Sequence, residues 1–282
     1  MKENTEWDLV IKPTTSLFDL KLKQVWLYRD LLWLFVRRDF VAFYKQTILG
    51  PIWFFIQPLF TTATYVFVYS SLAGLSTDGL PPILFYLAGI TAWGYFSECL
   101  TKTATVFQTN ASIFGKVYFP RLIMPVSIVI SSIVRLGVQI LLLIIIMIYY
   151  AMTTGGFSLT GYIFLFPLFI VLMAAQGLGF GMIISALTTK YRDLALLLTF
   201  GIQLLMYLAP VIYPLSSLGG KLRFLISLNP MTPVIEGMRK SFLGHGTVTA
   251  GSILYTVVVT VFVLVIGTII FNKVEKNFVD TI

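Results

Sequence analysis

Residues 45–60, KQTILGPIWFFIQPLF from Lys45 to Phe60, leave a charged segment and enter an apolar run, yet set Pro51, Gln57 and Pro58 inside it. The apolar character continues to Leu72. A run of that length, about 20 residues or more, crosses a bilayer. Pro51 falls in the first turn of such a helix, where a missing N–H costs nothing. Pro58 frees a backbone carbonyl and permits a kink. Membrane helices tolerate this where a side chain or water satisfies the freed group. Gln57 is placed to do that or to bond a neighbouring helix. The segment therefore reads as a spanning helix with a kink.

The rest of the chain supports a membrane reading. Of 282 residues, 57% are hydrophobic and 11% charged, too little charge to cover a soluble domain. Six runs are long enough to span: 49–72, 83–107, 122–150, 161–187, 194–214 and 251–271. Formal net charge is +8. The cations flank the spans, which suits anionic lipid headgroups rather than nucleic acid. Lys and Arg crowd 1–48 and the connections after the second and fourth spans, while 73–82 and 152–160 hold none. By the positive-inside bias both termini are expected in the cytoplasm. The first 24 residues lack an apolar core behind a basic start, so no cleavable leader is expected. Cys99, the one cysteine, has no partner for an intramolecular disulfide. The expected fold class is all-α and integral to the membrane.

Three segments depart from plain spans. Residues 25–45 place Asp30, Arg37, Arg38 and Lys45 on one arc at about 100° per residue, with Tyr28, Leu32, Phe35, Phe40 and Phe43 opposite. That is an amphipathic helix along the membrane surface or, alternatively, a cytosolic docking helix. Residues 215–250 offer two short amphipathic pieces, Gly220–Leu228 and Pro233–Leu243, broken at Asn229-Pro230. Neither is long enough to span, so the segment reads as a re-entrant helical hairpin, with an ordinary outer loop as the plainer alternative. Residues 108–121, QTNASIFGKVYFPR, suggest a short helix with Asn110 or Ser112 as N-cap and Pro120 as its end.

Intramembrane chemistry is sparse. Glu98 and Arg135 are the ionisable residues well inside spans, and Lys102 lies one turn below Glu98. A Glu98–Lys102 pair is expected. Arg135 could pair with Glu98, snorkel or face a polar conduit. One acid and no intramembrane histidine make a poor proton relay. Asp78, Glu236 and His245 are too scattered for a catalytic or metal cluster. No G-x-x-x-x-G-K-[ST] phosphate loop occurs, so uphill transport requires a separate motor. The spans carry many rings, among them Trp53, Phe54, Tyr65, Tyr69 and Trp93. Most such rings face lipid or core, but a conduit lined by them could pass sugars by weak stacking.

Ordered motifs then carry a resemblance: Arg38-Asp39-Phe40, Tyr44 to Trp53 (YKQTILGPIW), Gln57-Pro58, Lys116 to Arg121 (KVYFPR), Tyr191-Arg192-Asp193, Ala209 to Tyr213 (APVIY) and Asn229 to Pro233 (NPMTP). From about residue 25 onward the chain resembles the permease subunit of ABC-type exporters of cell-surface polysaccharide, the O-antigen and teichoic-acid class of type-2 exporters. The resemblance implies a homodimer with two cytoplasmic ABC ATPase subunits, which carry the ATP and Mg; no cofactor is expected in this chain. It implies a lipid-linked polysaccharide on an undecaprenyl-diphosphate carrier, moved across a bacterial inner membrane. It also implies that 108–121 is the coupling helix, with Ile113, Phe114, Lys116, Val117, Tyr118 and Arg121 against the ATPase and Tyr191, Arg192 and Asp193 beside them. Trp53, Phe54, Gln57, Pro58, Tyr65, Tyr69, Trp93 and Arg135 are expected along the conduit. Arg223, Asn229, Pro230, Arg239 and Lys240 are expected at an outer gate, with the cations at headgroups or the emerging diphosphate. The expected organisation is an extension 1–24, an interface helix 25–48, a permease domain 49–271 and a cytoplasmic tail 272–282. Rival readings are a permease for a drug, lipid or haem-related molecule and a membrane-embedded glycan-processing enzyme.

Overall fold

A computed structural model describes residues 22–45, 50–114, 116–117, 119–154, 160–191 and 193–278. The described residues form helices joined by turns. In chain order these are α1 (Leu22–Leu27), α2 (Arg29–Lys45), α3 (Trp53–Tyr65), α4 (Pro82–Ala104), α5 (Val106–Thr109), α6 (Ala111–Phe114), α7 (Ile123–Thr154), α8 (Phe166–Lys190), α9 (Leu194–Tyr207), α10 (Gly220–Ser227), α11 (Met231–Leu243) and α12 (Ala250–Phe278).

Among the described residues, four helical stretches are long and apolar enough to cross a membrane: Pro82–Ala104, Ile123–Thr153, Gly161–Lys190 and Ala250–Val274. The other two expected spans are built differently. A 3-10 turn, Gly50–Ile52, leads into α3, and a π-helical stretch, Val66–Leu72, continues it. Gly50 opens that turn at φ +51°, a left-handed conformation glycine adopts without penalty. The run expected over 194–214 is helical only to Tyr207. Pro210 cannot supply an N–H to prolong it, and the Tyr213 hydroxyl donates to the Tyr207 carbonyl at 2.7 Å. The last helix runs past the expected 271, to Phe278.

Helix α4 is the hub, packing on α3, α7, α8 and α11. Its Leu84, Phe85, Tyr86, Leu87 and Cys99 are buried. Close approach explains the glycines on the α8 side. A Cβ at Gly177 would lie 2.6 Å from the Cys99 Cβ, and one at Gly267 2.6 Å from the Gly179 carbonyl oxygen. Such small residues let membrane helices meet backbone to backbone, where lipid supplies no hydrophobic drive.

A second core sits at the α2 end of the bundle. Leu32, Phe35 and Val36 of α2 pack with Phe107, Phe114, Phe119, Ile123 and Phe271. Trp26 and Trp33 stay exposed. The chain breaks at Tyr28, so the amphipathic segment is two helices rather than one. Between α9 and α12, α10 and α11 form the two short helices expected either side of Asn229-Pro230. Helix α11 is buried almost throughout, against α4 and α8.

Candidate functional site

Helices α3, α4 and α7 enclose a polar cleft of about 410 Å³. Gln57, Pro58 and Thr61 come from α3; Ile90, Gly94, Ser97, Glu98, Thr101 and Lys102 from α4; Arg135 and Gln139 from α7. The α4 residues recur at three- and four-residue steps, which put them on one face. From Ile90 to Lys102 that face extends about 18 Å along the helix axis.

Glu98 organises the charge. Its Oε1 accepts from Lys102 Nζ at 2.6 Å, and its Oε2 lies 3.2 Å from Arg135 Nη1. The expected Glu98–Lys102 pair forms, and of the three alternatives for Arg135 the pairing with Glu98 joins it to make one triad. The Arg135 guanidinium also lies 5.1 Å from the centre of the Phe54 ring. Phe54 is buried behind the cleft rather than lining it. Asp39 of α2 joins Phe40, Glu98, Lys102 and Arg135 around an adjoining hollow of about 40 Å³. Asp39 is itself held by Arg38 at 2.7 Å.

The cleft gathers Gln57, Pro58 and Arg135 from the expected conduit set, but not its rings. Trp53 is exposed. Trp93 packs on Phe96 and faces a different, apolar cavity of about 460 Å³ between α4, α8, α9 and α10. Tyr65 and Tyr69 meet Tyr86, with ring centres 5.2 Å apart within the first pair and 6.2 and 6.3 Å from Tyr86. Gln57 forms no side-chain hydrogen bond with the described residues, so it does not satisfy the carbonyl freed by Pro58. Thr61 donates instead to the Gln57 carbonyl, at 2.9 Å. Sequence reasoning missed Thr61, Ser97, Thr101 and Gln139. Ser97 and Thr101 carried a signal, small polar residues within a turn of Glu98 on the same helix, whereas Thr61 and Gln139 lie on other helices and carried none.

The outer-gate set divides. Arg223 is exposed on α10. Arg239 is not at a headgroup surface: it is 1% exposed, 3.2 Å from Glu236 Oε1, and donates to the Val211 carbonyl at 2.8 Å. Its guanidinium stacks 3.6 Å from the centre of the Phe85 ring. Glu236 Oε2 accepts from the Thr247 N–H and hydroxyl, at 2.9 and 3.1 Å. Lys240 Nζ lies over the Tyr162 ring at 4.1 Å and donates to the Val248 carbonyl at 3.3 Å. Asn229 donates to the Leu208 carbonyl at 3.0 Å and accepts from the Met231 N–H at 2.9 Å, and the Pro230 carbonyl accepts from Gln176 and Thr256. These groups pin the hairpin to the body.

At the opposite end, the segment expected as one coupling helix is two single turns, α5 and α6. The Asn110 carbonyl accepts from the Phe114 N–H at 3.2 Å, but the Asn110 amide turns back to Val106, so it is no side-chain N-cap. Phe114 points inward, 5.7 Å from Phe119 and 5.5 Å from Phe107. It packs in the chain's own core and is not free to enter a partner's groove. Arg121 covers its ring at 5.6 Å. Lys116, Val117, Tyr191 and Asp193 are exposed, and Ile113 is half-buried. Tyr118 and Arg192 lie outside the described residues. Among the described residues no three His, Cys, Asp or Glu side chains gather as a metal site.

A helical membrane body with a polar cleft between its spans is the architecture of a transporter's membrane subunit. The chain belongs to the ABC-2 type transporter family, which it matches over residues 30–243. It is similar, at 26% identity over 251 residues, to an O-antigen export system permease protein RfbA of Klebsiella pneumoniae, covering 89% of this chain and 94% of that one. It is also similar, at 24% identity over 263 residues, to an O-antigen export system permease protein RfbA of Myxococcus xanthus, covering 93% and 98%. The chain is thus a multi-pass transporter subunit rather than an enzyme.

Proposed function

We propose that this chain is the transmembrane subunit of an ATP-driven exporter that moves an O-antigen-like polysaccharide, linked to undecaprenyl diphosphate, across a bacterial inner membrane. The observation that carries the reading is the cleft between α3, α4 and α7. Polar groups at membrane depth are costly and mark a substrate path. Similarity to the O-antigen permeases along nearly the whole chain supports the substrate class. Two copies pair, and two cytoplasmic ABC ATPases supply the force.

In this reading α3 with its π-helical continuation is the first span and α9 a short fifth, giving six. Residues 22–45 lie along the cytoplasmic surface, 272–282 form the tail, and both termini are cytoplasmic. The α10–α11 pair dips into the outer leaflet. Lys221 and Arg223, both exposed on α10, remain placed for outer headgroups. Ile113, Lys116, Val117, Tyr191 and Asp193 form the face offered to the ATPase. A second reading, export of an apolar drug or lipid, is favoured by the cavity beside Trp93.

The test is export after Pro58→Ala combined with Gln57→Leu. Surface polysaccharide should fall while assembly with the ATPase persists. Unchanged surface polysaccharide would remove the cleft from the transport path. Co-purification with an ABC ATPase whose hydrolysis responds to a lipid-linked glycan, and not to an apolar drug, separates the two readings.

A further inference from the structure

The cavity beside Trp93 offers a guest almost nothing polar. Trp93 and Phe96 of α4, Phe180 of α8 and Leu198, Gly201 and Leu205 of α9 line it, and Asn229 and Pro230 stand at its α10 end. Their polar groups are spent within the chain. The Asn229 amide donates to the Leu208 carbonyl and its side-chain oxygen accepts from the Met231 N–H, while the Pro230 carbonyl accepts from Gln176 and Thr256. A water needs about two to four polar partners, so a site of this kind takes up hydrocarbon instead. An apolar cavity of about 150 Å³ takes one benzene, and on that scale about 460 Å³ has room for on the order of eighteen carbons. The lining along α9 runs from Leu198 to the C-cap at Leu208, about 15 Å, which is half of the roughly 30 Å hydrocarbon core. Leu205 and Leu208 of α9 and Leu222 and Leu225 of α10 are exposed, so the cavity opens along the α9–α10 edge. Lys221 and Arg223 flank Leu222 there, exposed and without an ion pair or side-chain hydrogen bond among the described residues. Ile202 is the one buried residue of α9, so this helix is held to the body on a narrow face.

We propose that the cavity is a resident lipid site: one acyl chain of an anionic outer-leaflet phospholipid fills it, and Lys221 and Arg223 hold the phosphate. The capacity and the depth of the cavity both match a single acyl chain in one leaflet, and an undecaprenyl chain is far too long for it. The two cations at the open end choose an anionic headgroup. The lipid is then part of the wall between α9 and the body, a wedge rather than cargo. The inference rests on the outer-leaflet placing of α10 in the proposed function and not on what the exporter carries.

The test uses the full exporter, permease with ATPase, purified in detergent and depleted of lipid. It is titrated with dioleoyl phosphatidylglycerol or dioleoyl phosphatidylcholine, bound lipid is counted by native mass spectrometry, and the melting temperature is followed. Phosphatidylglycerol should saturate at one per permease chain, raise the melting temperature and bind about tenfold more tightly than phosphatidylcholine, as two cations near a headgroup allow. Lys221→Ser with Arg223→Ser should bring the two lipids within about twofold of each other and leave the lipid-free melting temperature unchanged. Gly201→Leu fills the cavity, since a Cβ at Gly201 meets no atom within 4 Å. It should abolish saturable binding of both lipids and raise the lipid-free melting temperature. Absence of a saturable site, equal affinity for the two lipids in the parent, or binding untouched by Gly201→Leu overturns the proposal. So does a Gly201→Leu variant that binds no lipid less than the parent but parts into single copies, which makes the cavity the seat of a second chain. An apolar drug that displaces the lipid and stimulates ATP hydrolysis also overturns it, as the cavity is then a cargo site. If Gly201→Leu does not assemble, the Lys221 and Arg223 pair carries the comparison. A permease that binds the lipid in this way yet exports no glycan would sink the exporter reading and leave the lipid site standing.

Discussion

Two of the ionic groups among the described residues, Glu236–Arg239 and Glu98–Lys102–Arg135, have surroundings that differ in one respect. Glu236 and Arg239 of α11 are both nearly sealed from solvent, with side chains 3% and 2% exposed. Around them Thr247 supplies two donors, Val211 an acceptor and Phe85 a ring, and the Arg239 Nε is the one polar atom of the pair without a hydrogen bond among the described residues. Glu98, Lys102 and Arg135 border a cavity instead, beside the amides of Gln57 and Gln139, which have no hydrogen-bond partner among the described residues. Charge within a membrane protein is thus of two kinds. Where the partners come from the chain and no space is left, the charge holds parts together. Where space and unspent hydrogen-bonding capacity remain, the charge waits for a guest.

Arg239→Ala should produce the largest effect and tests the first half of that contrast. It strands Glu236 in a sealed site, which costs about 3–5 kcal/mol. Thermal unfolding of the purified permease should show a drop of many degrees, with little mature protein in the membrane. A stable Arg239→Ala variant that is dead in export would make the hairpin cation functional and erase the distinction.

Phe114→Ala comes next, at about 3 kcal/mol for emptying an aromatic site in a packed core. It should lower stability and reduce ATPase coupling only as far as the protein unfolds. Val117→Asp, on the exposed face of the same turn, should leave the melting temperature within the scatter and cut glycolipid-stimulated hydrolysis severalfold. If Phe114→Ala keeps full stability and uncouples, its ring leaves the core to engage the partner.

The sequence carried the helical plan because apolar runs of spanning length have few other solutions. It carried the Glu98–Lys102 pair because four-residue spacing on a helix is local. Arg239 was misread for the opposite reason. Its burial depends on Phe85, Val211 and Thr247, from three other parts of the chain, and no pattern near residue 239 announces them. The same holds for Phe114, whose neighbours Phe35 and Phe271 lie far away in sequence. The run expected over 194–214 was overextended because Leu208 to Pro214 remains apolar after the backbone has stopped being helical. The cleft was half visible: Gln57 and Pro58 stood out against an apolar run, whereas Gln139 and Thr61 acquired meaning only when α7 and α3 were set beside α4.

Glu98→Gln removes the negative charge that binds two cations while keeping the side chain's shape. Stability should fall by about 1 kcal/mol, the size of a hydrogen bond exchanged for a weaker one. Export should fall far more steeply, since Lys102 and Arg135 are released toward whatever passes. The contrast is sharpest if bare pyrophosphate now inhibits the variant and leaves the parent untouched.

Lys102→Ala is the smallest perturbation and the finest probe of the comparison. The Lys102 side chain is 49% exposed, so its pair with Glu98 is screened by solvent despite the 2.6 Å contact. Pairs of this kind contribute about 0.3–0.5 kcal/mol. Arg135 is 28% exposed and still neutralises Glu98 when the lysine is gone. The melting temperature should therefore move by a degree or so, and the shift should shrink as salt is raised, because ions screen an exposed pair and not a sealed one. The Arg239→Ala shift, measured in the same salt series, should not change. If Lys102→Ala destabilises as heavily as Arg239→Ala, or if both shifts respond alike to salt, then the triad is a structural clamp like the hairpin pair, and the cleft beside it loses its claim to be a site.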